Sequence, residues 1–122
     1  MSTIRVTVAG ASGRMGRALI RAVCESTDMR LAFALEQEGH PDLGRDAGVL
    51  AGIPDAEIVL TDDPLAAVAN SDAVLDFTVP AASTALSELS AQARIVHVIG
   101  TTGFADADLT RRSFGAAFRL YN

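Results

Sequence analysis

The run Gly10-Ala11-Ser12-Gly13-Arg14-Met15-Gly16, set directly after the β-branched stretch Val6-Thr7-Val8-Ala9, has the residue types and spacing that suit a phosphate anion. Glycines permit a tight turn and let backbone N–H groups approach phosphate oxygens. A helix beginning near Gly13 would aim its positive end at the same oxygens. Arg14 is placed to add a guanidinium, and Gly16 allows the helix to lie close against the strand. The spacing is GxxGxxG, not GxGxxG. The bland alternative is a short connection between two elements, and the strand before and helix after the turn weigh against it.

A dinucleotide site of this kind needs a carboxylate about 20 residues past the turn, where it accepts the adenine-ribose hydroxyls. Glu36 stands there, with a solvated loop charge as its alternative reading. Gln37 follows, where a basic residue would be wanted for a 2′-phosphate. An amide offers hydrogen bonds but no neutralising charge, so NADH is favoured over NADPH unless Arg45 or another loop arginine swings in. Two further segments, Asp76-Phe77-Thr78 and Gly100-Thr101-Thr102-Gly103-Phe104, fall where later strands should end. Ligands of open parallel sheets bind outside those carboxyl ends, so the segments converge on one crevice. Taken alone, Gly-Thr-Thr-Gly is an ordinary turn.

Other chemistry is thinly provided. All ten basic residues are arginine, so Schiff-base and ammonium-acid catalysis have no candidate. Cys24 cannot form an internal disulfide and, at a helical position beside Val23, reads as a small buried hydrophobe. His97 lies inside a strand-like run and reads as a core histidine, whereas His40 sits in a glycine-rich loop and reads as solvated. No metal site or catalytic residue is assigned. A net charge of −5 lacks the clustered positive charge that nucleic acid demands. No signal peptide or membrane span is visible, and the cytoplasm is the expected compartment.

Strand-like and helix-like patterns alternate along the chain. Ile4 to Ala9 predicts a strand covered on both faces, and Met15, Ala18, Leu19, Ala22 and Val23 recur at helical spacing after it. Strands follow at Met29 to Leu35, Glu57 to Leu60, Ala73 to Phe77 and Arg94 to Ile99. Thr61-Asp62-Asp63-Pro64 starts one helix and Pro80 another, running to about Ala91. Gln37 to Pro54 reads as a long surface loop, and such loops are usually functional. The order implies one α/β domain of 122 residues, a Rossmann-like parallel sheet with helices on both faces.

Gly-Ala-Ser-Gly-Arg-Met-Gly-Arg, Ala-Leu-Glu, Leu43-Gly44-Arg45-Asp46-Ala47-Gly48 running to Leu50-Ala51-Gly52, Asp76-Phe77-Thr78 and Val98-Ile99-Gly100-Thr101-Thr102-Gly103-Phe104 come in that order. Together they resemble the amino-terminal dinucleotide-binding domain of 4-hydroxy-tetrahydrodipicolinate reductase, or dihydrodipicolinate reductase. The likeness spans Ile4 to Phe104. It implies NADH or NADPH as the cofactor and hydride transfer to a cyclic imine dicarboxylate on the diaminopimelate route to lysine. It implies that Gly10, Ala11, Ser12, Gly13, Arg14 and Met15 cradle the pyrophosphate and that Glu36, next to Gln37, holds the adenine ribose. Phe77 and Thr78 would line the nicotinamide side, joined by Gly100, Thr101 and Thr102, with Thr102 also meeting a substrate carboxylate.

The family further implies a second α/β domain, with paired histidines, a lysine and an oligomer interface, that this chain does not match. Residues 105–122 diverge, and the tail from Phe114 to Asn122 reads as a sixth strand cut short. Two functional expectations follow. One is the cofactor half of the reductase, with a small-molecule substrate and no nucleic-acid or membrane partner. The other is a stand-alone module that senses or scavenges NAD(H). Semialdehyde dehydrogenases are a weaker alternative, because they lack the pairing of Gly-Arg-Met-Gly with Gly-Thr-Thr-Gly.

Overall fold

A computed structural model describes residues 3–100 and the backbone of residues 118–120. Six strands, β1 (Ile4–Ala9), β2 (Met29–Leu35), β3 (Leu60–Thr61), β4 (Ala73–Asp76), β5 (Val96–Ile99) and β6 (Phe118–Leu120), form one sheet in the order β3-β2-β1-β4-β5-β6. Every adjacent pair is parallel. This is the Rossmann order, and its strand sequence reverses between β1 and β4. At that reversal the register pairs Ala9 with Asp76, which brings the glycine turn beside Phe77 although 67 positions separate them.

Helices cover both faces, as the alternating pattern implies. On one face α1 (Arg14–Glu25) and the short α2 (Ala47–Leu50) pack Ile20, Val23 and Ala47 against Val6, Val8, Leu31 and Leu60. On the other, α3 (Pro64–Ala69) and α4 (Pro80–Ala93) set Ala67, Val68 and Leu86 against Ala9, Leu35 and Val74. Both α3 and α4 begin at a proline whose missing N–H costs a helix start nothing. Asp63 caps α3 by accepting the Ala66 N–H at 3.1 Å.

Several expectations need correction. Cys24 is exposed, not buried. The buried stripe of α1 is Gly16, Ile20 and Val23, and one step of about 100° past Val23 turns Cys24 to solvent. The same rotation leaves Met15 exposed. The third strand is only Leu60–Thr61, because Glu57 adopts a left-handed φ of 60° that no extended strand accepts. The fifth begins at Val96, since Arg94 (φ 58°) is the left-handed cap of α4.

The loop from Gln37 to Pro54 is not a plain surface loop either. It holds α2, anchored by Asp46, whose carboxylate accepts N–H groups from Val49 (3.0 Å), Ala56 (2.9 Å) and Ile58 (3.2 Å). These bonds hold the Asp46 carboxyl down at about 2 against the cost of burying it. His40 is half-buried, and its Nδ1 accepts the Asp42 N–H at 3.0 Å.

Candidate dinucleotide site

The glycine turn is built from three glycines with three different jobs. Gly10 has φ +81°, and a Cβ there would lie 2.8 Å from the Phe77 carbonyl oxygen, so this residue lets β1 turn beside β4. Gly16 is buried in α1, and a Cβ on it would overlap the Gly10 carbonyl oxygen. Gly13 differs from both. Its φ of −74° and ψ of 170° suit any residue, and a Cβ would meet only the Gly10 oxygen, at 3.4 Å. What Gly13 keeps clear is the space of the crevice itself.

Gly13 is also the N-cap of α1, without a side-chain cap and with no acidic residue in the first turn. The first N–H groups of that helix have no intrahelical partner and point out of the turn. Earlier donors of the turn are engaged. Gly10 and Ala11 give their N–H groups to the Leu35 carbonyl at 3.1 and 3.0 Å, and Ala11 is fully buried. Ser12 donates its N–H to Glu36 Oε2 at 2.9 Å and its hydroxyl to Asp42 Oδ2, while its carbonyl accepts Arg17 Nε at 2.9 Å. Arg14 and Met15 stand exposed on the first helical turn.

A cavity of about 400 Å³ opens at this end of the sheet, within the range of small-ligand sites. Gly10, Gly13, Glu36, Gln37, Phe77 and Thr78 line it, so six sequence-predicted residues from three segments meet there. Its remaining walls were not foreseen. Ala82, Ala85, Leu86 and Leu89 of α4, with Leu35 and Pro64, form an apolar side, and Glu38 and Asp62 add carboxylates. The signal for α4 was its small apolar residues at helical spacing, which by themselves look like ordinary core.

Behind Phe77 and Thr78 lies a buried polar knot. Asp76, fully buried at the end of β4, accepts the Thr78 N–H at 2.9 Å and the Thr78 hydroxyl at 2.6 Å through Oδ1. Its Oδ2 lies 2.8 Å from Nε2 of His97, equally buried on β5. Burial pushes the Asp76 carboxyl up, yet hydrogen bonds from His97, Thr78 and Ser83 outweigh it and hold the group below its ordinary value. His97 is therefore the core histidine expected. Gly100 completes the corner: its N–H reaches the Asp76 carbonyl at 2.8 Å, and a Cβ there would enter the Phe77 ring. Thr101 and Thr102 lie outside the described residues.

Among the described residues no group of side chains could hold a metal ion, and no helix is long and apolar enough to cross a membrane.

Comparison with known proteins agrees with this fold. Residues 4–113 match the family model of the dihydrodipicolinate reductase N-terminus. The 4-hydroxy-tetrahydrodipicolinate reductase of Bradyrhizobium diazoefficiens is 55% identical over 108 residues, covering 88% of this chain and 40% of that protein. That of Beijerinckia indica is 50% identical over 111 residues, covering 91% and 41%. A dipicolinate-bound dihydrodipicolinate reductase from Paenisporosarcina superposes with a TM-score of 0.71 at 27% identity, over 91% of this chain and 42% of that one. The chain thus spans about two fifths of the length of the curated relatives it matches.

Proposed function

Since this chain belongs to the dihydrodipicolinate reductase family through the amino-terminal domain of that family, we propose that it is the NAD(P)H-binding part of a 4-hydroxy-tetrahydrodipicolinate reductase, with NADH preferred. The observation that carries the reading is the contrast among the glycines. Gly10 and Gly16 are demanded by the fold, whereas Gly13 has ordinary backbone angles, leaves room for a Cβ and lines the cavity. The residues fit such a cofactor: uncapped N–H groups of α1 suit a pyrophosphate, the Glu36 carboxylate suits ribose hydroxyls, and the apolar wall of α4 suits a purine face.

When bound, the reduced nicotinamide supplies the hydride for a cyclic imine dicarboxylate. In this reading Gly13, whose N–H is given to the Gly10 carbonyl, makes room for the phosphates and Arg14 and Met15 hold them, while Ser12 holds Glu36 in place. Phe77 and Thr78 take the nicotinamide side, kept there by Asp76. Gly100, Thr101 and Thr102 complete it, with Thr102 reaching a substrate carboxylate. The chain has no lysine, and His97 is spent on Asp76. The proton donor and the cations for the substrate carboxylates are therefore proposed to come from the part of the relatives that this chain does not span. A cytoplasmic setting and a homo-oligomer in the longer proteins belong to the same proposal.

The preference for NADH follows from charge. Glu36, Glu38 and Asp62 line the cavity and Gln37 brings no cation, so a 2′-phosphate meets repulsion. Thermal unfolding with added NADH tests the reading. At about 100 times the dissociation constant, ligand should stabilise the chain by about 2.7 kcal/mol, and an unmoved midpoint at millimolar NADH refutes it.

A further inference from the structure

Ser12 is the hub of a charge cluster at the adenosine end of the crevice. Its N–H goes to Glu36, its hydroxyl to Asp42, and its carbonyl accepts Arg17. Asp42 in turn holds two arginines: Oδ1 lies 3.1 Å from an Arg45 guanidinium nitrogen, and Oδ2 lies 4.0 Å from one of Arg17. Both guanidiniums are thus linked to Glu36 through Ser12 and Asp42. Neither lines the cavity. Their side chains are 60% and 42% exposed, whereas that of Asp42 is only 17% exposed and fixed through Ser12. The carboxylate is the anchored member of the cluster, Arg17 is held at Nε by the Ser12 carbonyl, and Arg45 is bound by Asp42.

From this arrangement, and resting on the dinucleotide reading above, we infer that Asp42 is a specificity-determining residue that keeps Arg17 and Arg45 from serving a 2′-phosphate. The physical reason is competition for the same guanidinium hydrogen bonds. A carboxylate already satisfying Arg45 and neutralising Arg17 leaves the corner anionic, because Glu36 and Glu38 remain uncompensated. Removing the Asp42 charge while keeping its shape leaves the Ser12 hydroxyl an acceptor. It also releases Arg45 and the outer nitrogen of Arg17, which stays tethered to the Ser12 carbonyl through Nε, for a phosphate placed beside Glu36. Selectivity here is built from a repulsive element as much as an attractive one. Sequence alone points to Gln37 and Arg45 for this role; Asp42 emerges only once the loop is seen to fold back on the glycine turn.

The test is equilibrium titration of NADH and NADPH against the chain and its Asp42→Asn variant at low salt, with thermal midpoints measured in parallel. The wild type should favour NADH. Asp42→Asn should tighten NADPH relative to NADH by about tenfold, the scale of one recovered charge-assisted hydrogen bond. The gain should shrink as salt rises. Adding Arg17→Gln and Arg45→Gln to Asp42→Asn should abolish the gain. An unchanged NADPH-to-NADH ratio in Asp42→Asn, with NADH still bound, overturns the role of Asp42 and leaves the dinucleotide reading standing. A gain that survives loss of both arginines overturns it equally. Failure of the wild type to bind either dinucleotide overturns the underlying reading instead.

Discussion

Replacing Asp76 by alanine should be among the most damaging single changes in this domain. The carboxylate has no exposed surface and accepts from the Thr78 N–H, the Thr78 hydroxyl and His97 Nε2, at 2.9, 2.6 and 2.8 Å, and from the Ser83 side chain as well. Each buried donor left without a partner costs about 1–3 kcal/mol, and water entering the cavity recovers part of it. With several such partners released at once and part of the cost recovered, the loss expected for Asp76→Ala is about 3–5 kcal/mol. For a domain of this size it corresponds to a fall of about 12–20 °C in unfolding temperature. Asp76→Asn keeps one acceptor for Thr78 and should lose less, about 1–2 kcal/mol. Urea unfolding followed by circular dichroism measures both. A loss below about 1 kcal/mol in the alanine variant, or equal losses in the two variants, would refute the claim that this knot stabilises the corner.

Three other outcomes follow from the same structure. Gly16→Ala should destabilise the fold by at least about 1–3 kcal/mol, because the added carbon meets the Gly10 backbone oxygen and not a movable side chain; thermal unfolding reads this. Acid should weaken the domain in a defined window. Asp46 and Asp72 are held at about 2, and Asp76 is also lowered, while unfolded aspartates titrate near roughly 4. Their stabilisation is complete above that unfolded value and lost as pH falls through the folded values, so urea midpoints should decline between about pH 5 and pH 2, with a shallower decline in Asp46→Asn. Gln37→Arg should shift preference towards NADPH, which paired titrations of the two dinucleotides would show.

Much of this architecture is legible in residue types. The β-branched run to Ala9, the glycines after it and the prolines at 64 and 80 specify strands, a turn and helix starts through local sterics, and local sterics act wherever the chain goes. Glu36, Phe77 and Thr78 could be placed at one crevice because the parallel order fixes which strand ends meet. The misreadings have a common cause. Asp42 and Asp46 act on partners 30 and 10–12 positions away, Ser12 for the first and Ala56 and Ile58 for the second, and nothing in their neighbourhood announces it. The loop they anchor therefore looks irregular in sequence and is ordered by hydrogen bonds in the fold. Cys24 was misplaced for a smaller reason: Ile20 and Val23 set the buried stripe, and apolar residues beside it pulled its inferred centre off by one position. Asp76 was visible as part of a motif, but its pairing with His97 depends on the β4–β5 register.

The most direct test of the central claim is a titration of NADH against the wild-type chain and its Gly13→Val variant. The backbone angles at Gly13 suit a β-branched residue, so the variant should unfold at nearly the same temperature as the wild type. Its side chain would occupy the space in front of the α1 amides. The account predicts saturable NADH binding by the wild type and at least about a hundredfold weaker binding by the variant, a loss of about 2.7 kcal/mol. Equal affinity in two equally stable proteins would contradict the assignment of this turn as the pyrophosphate cradle.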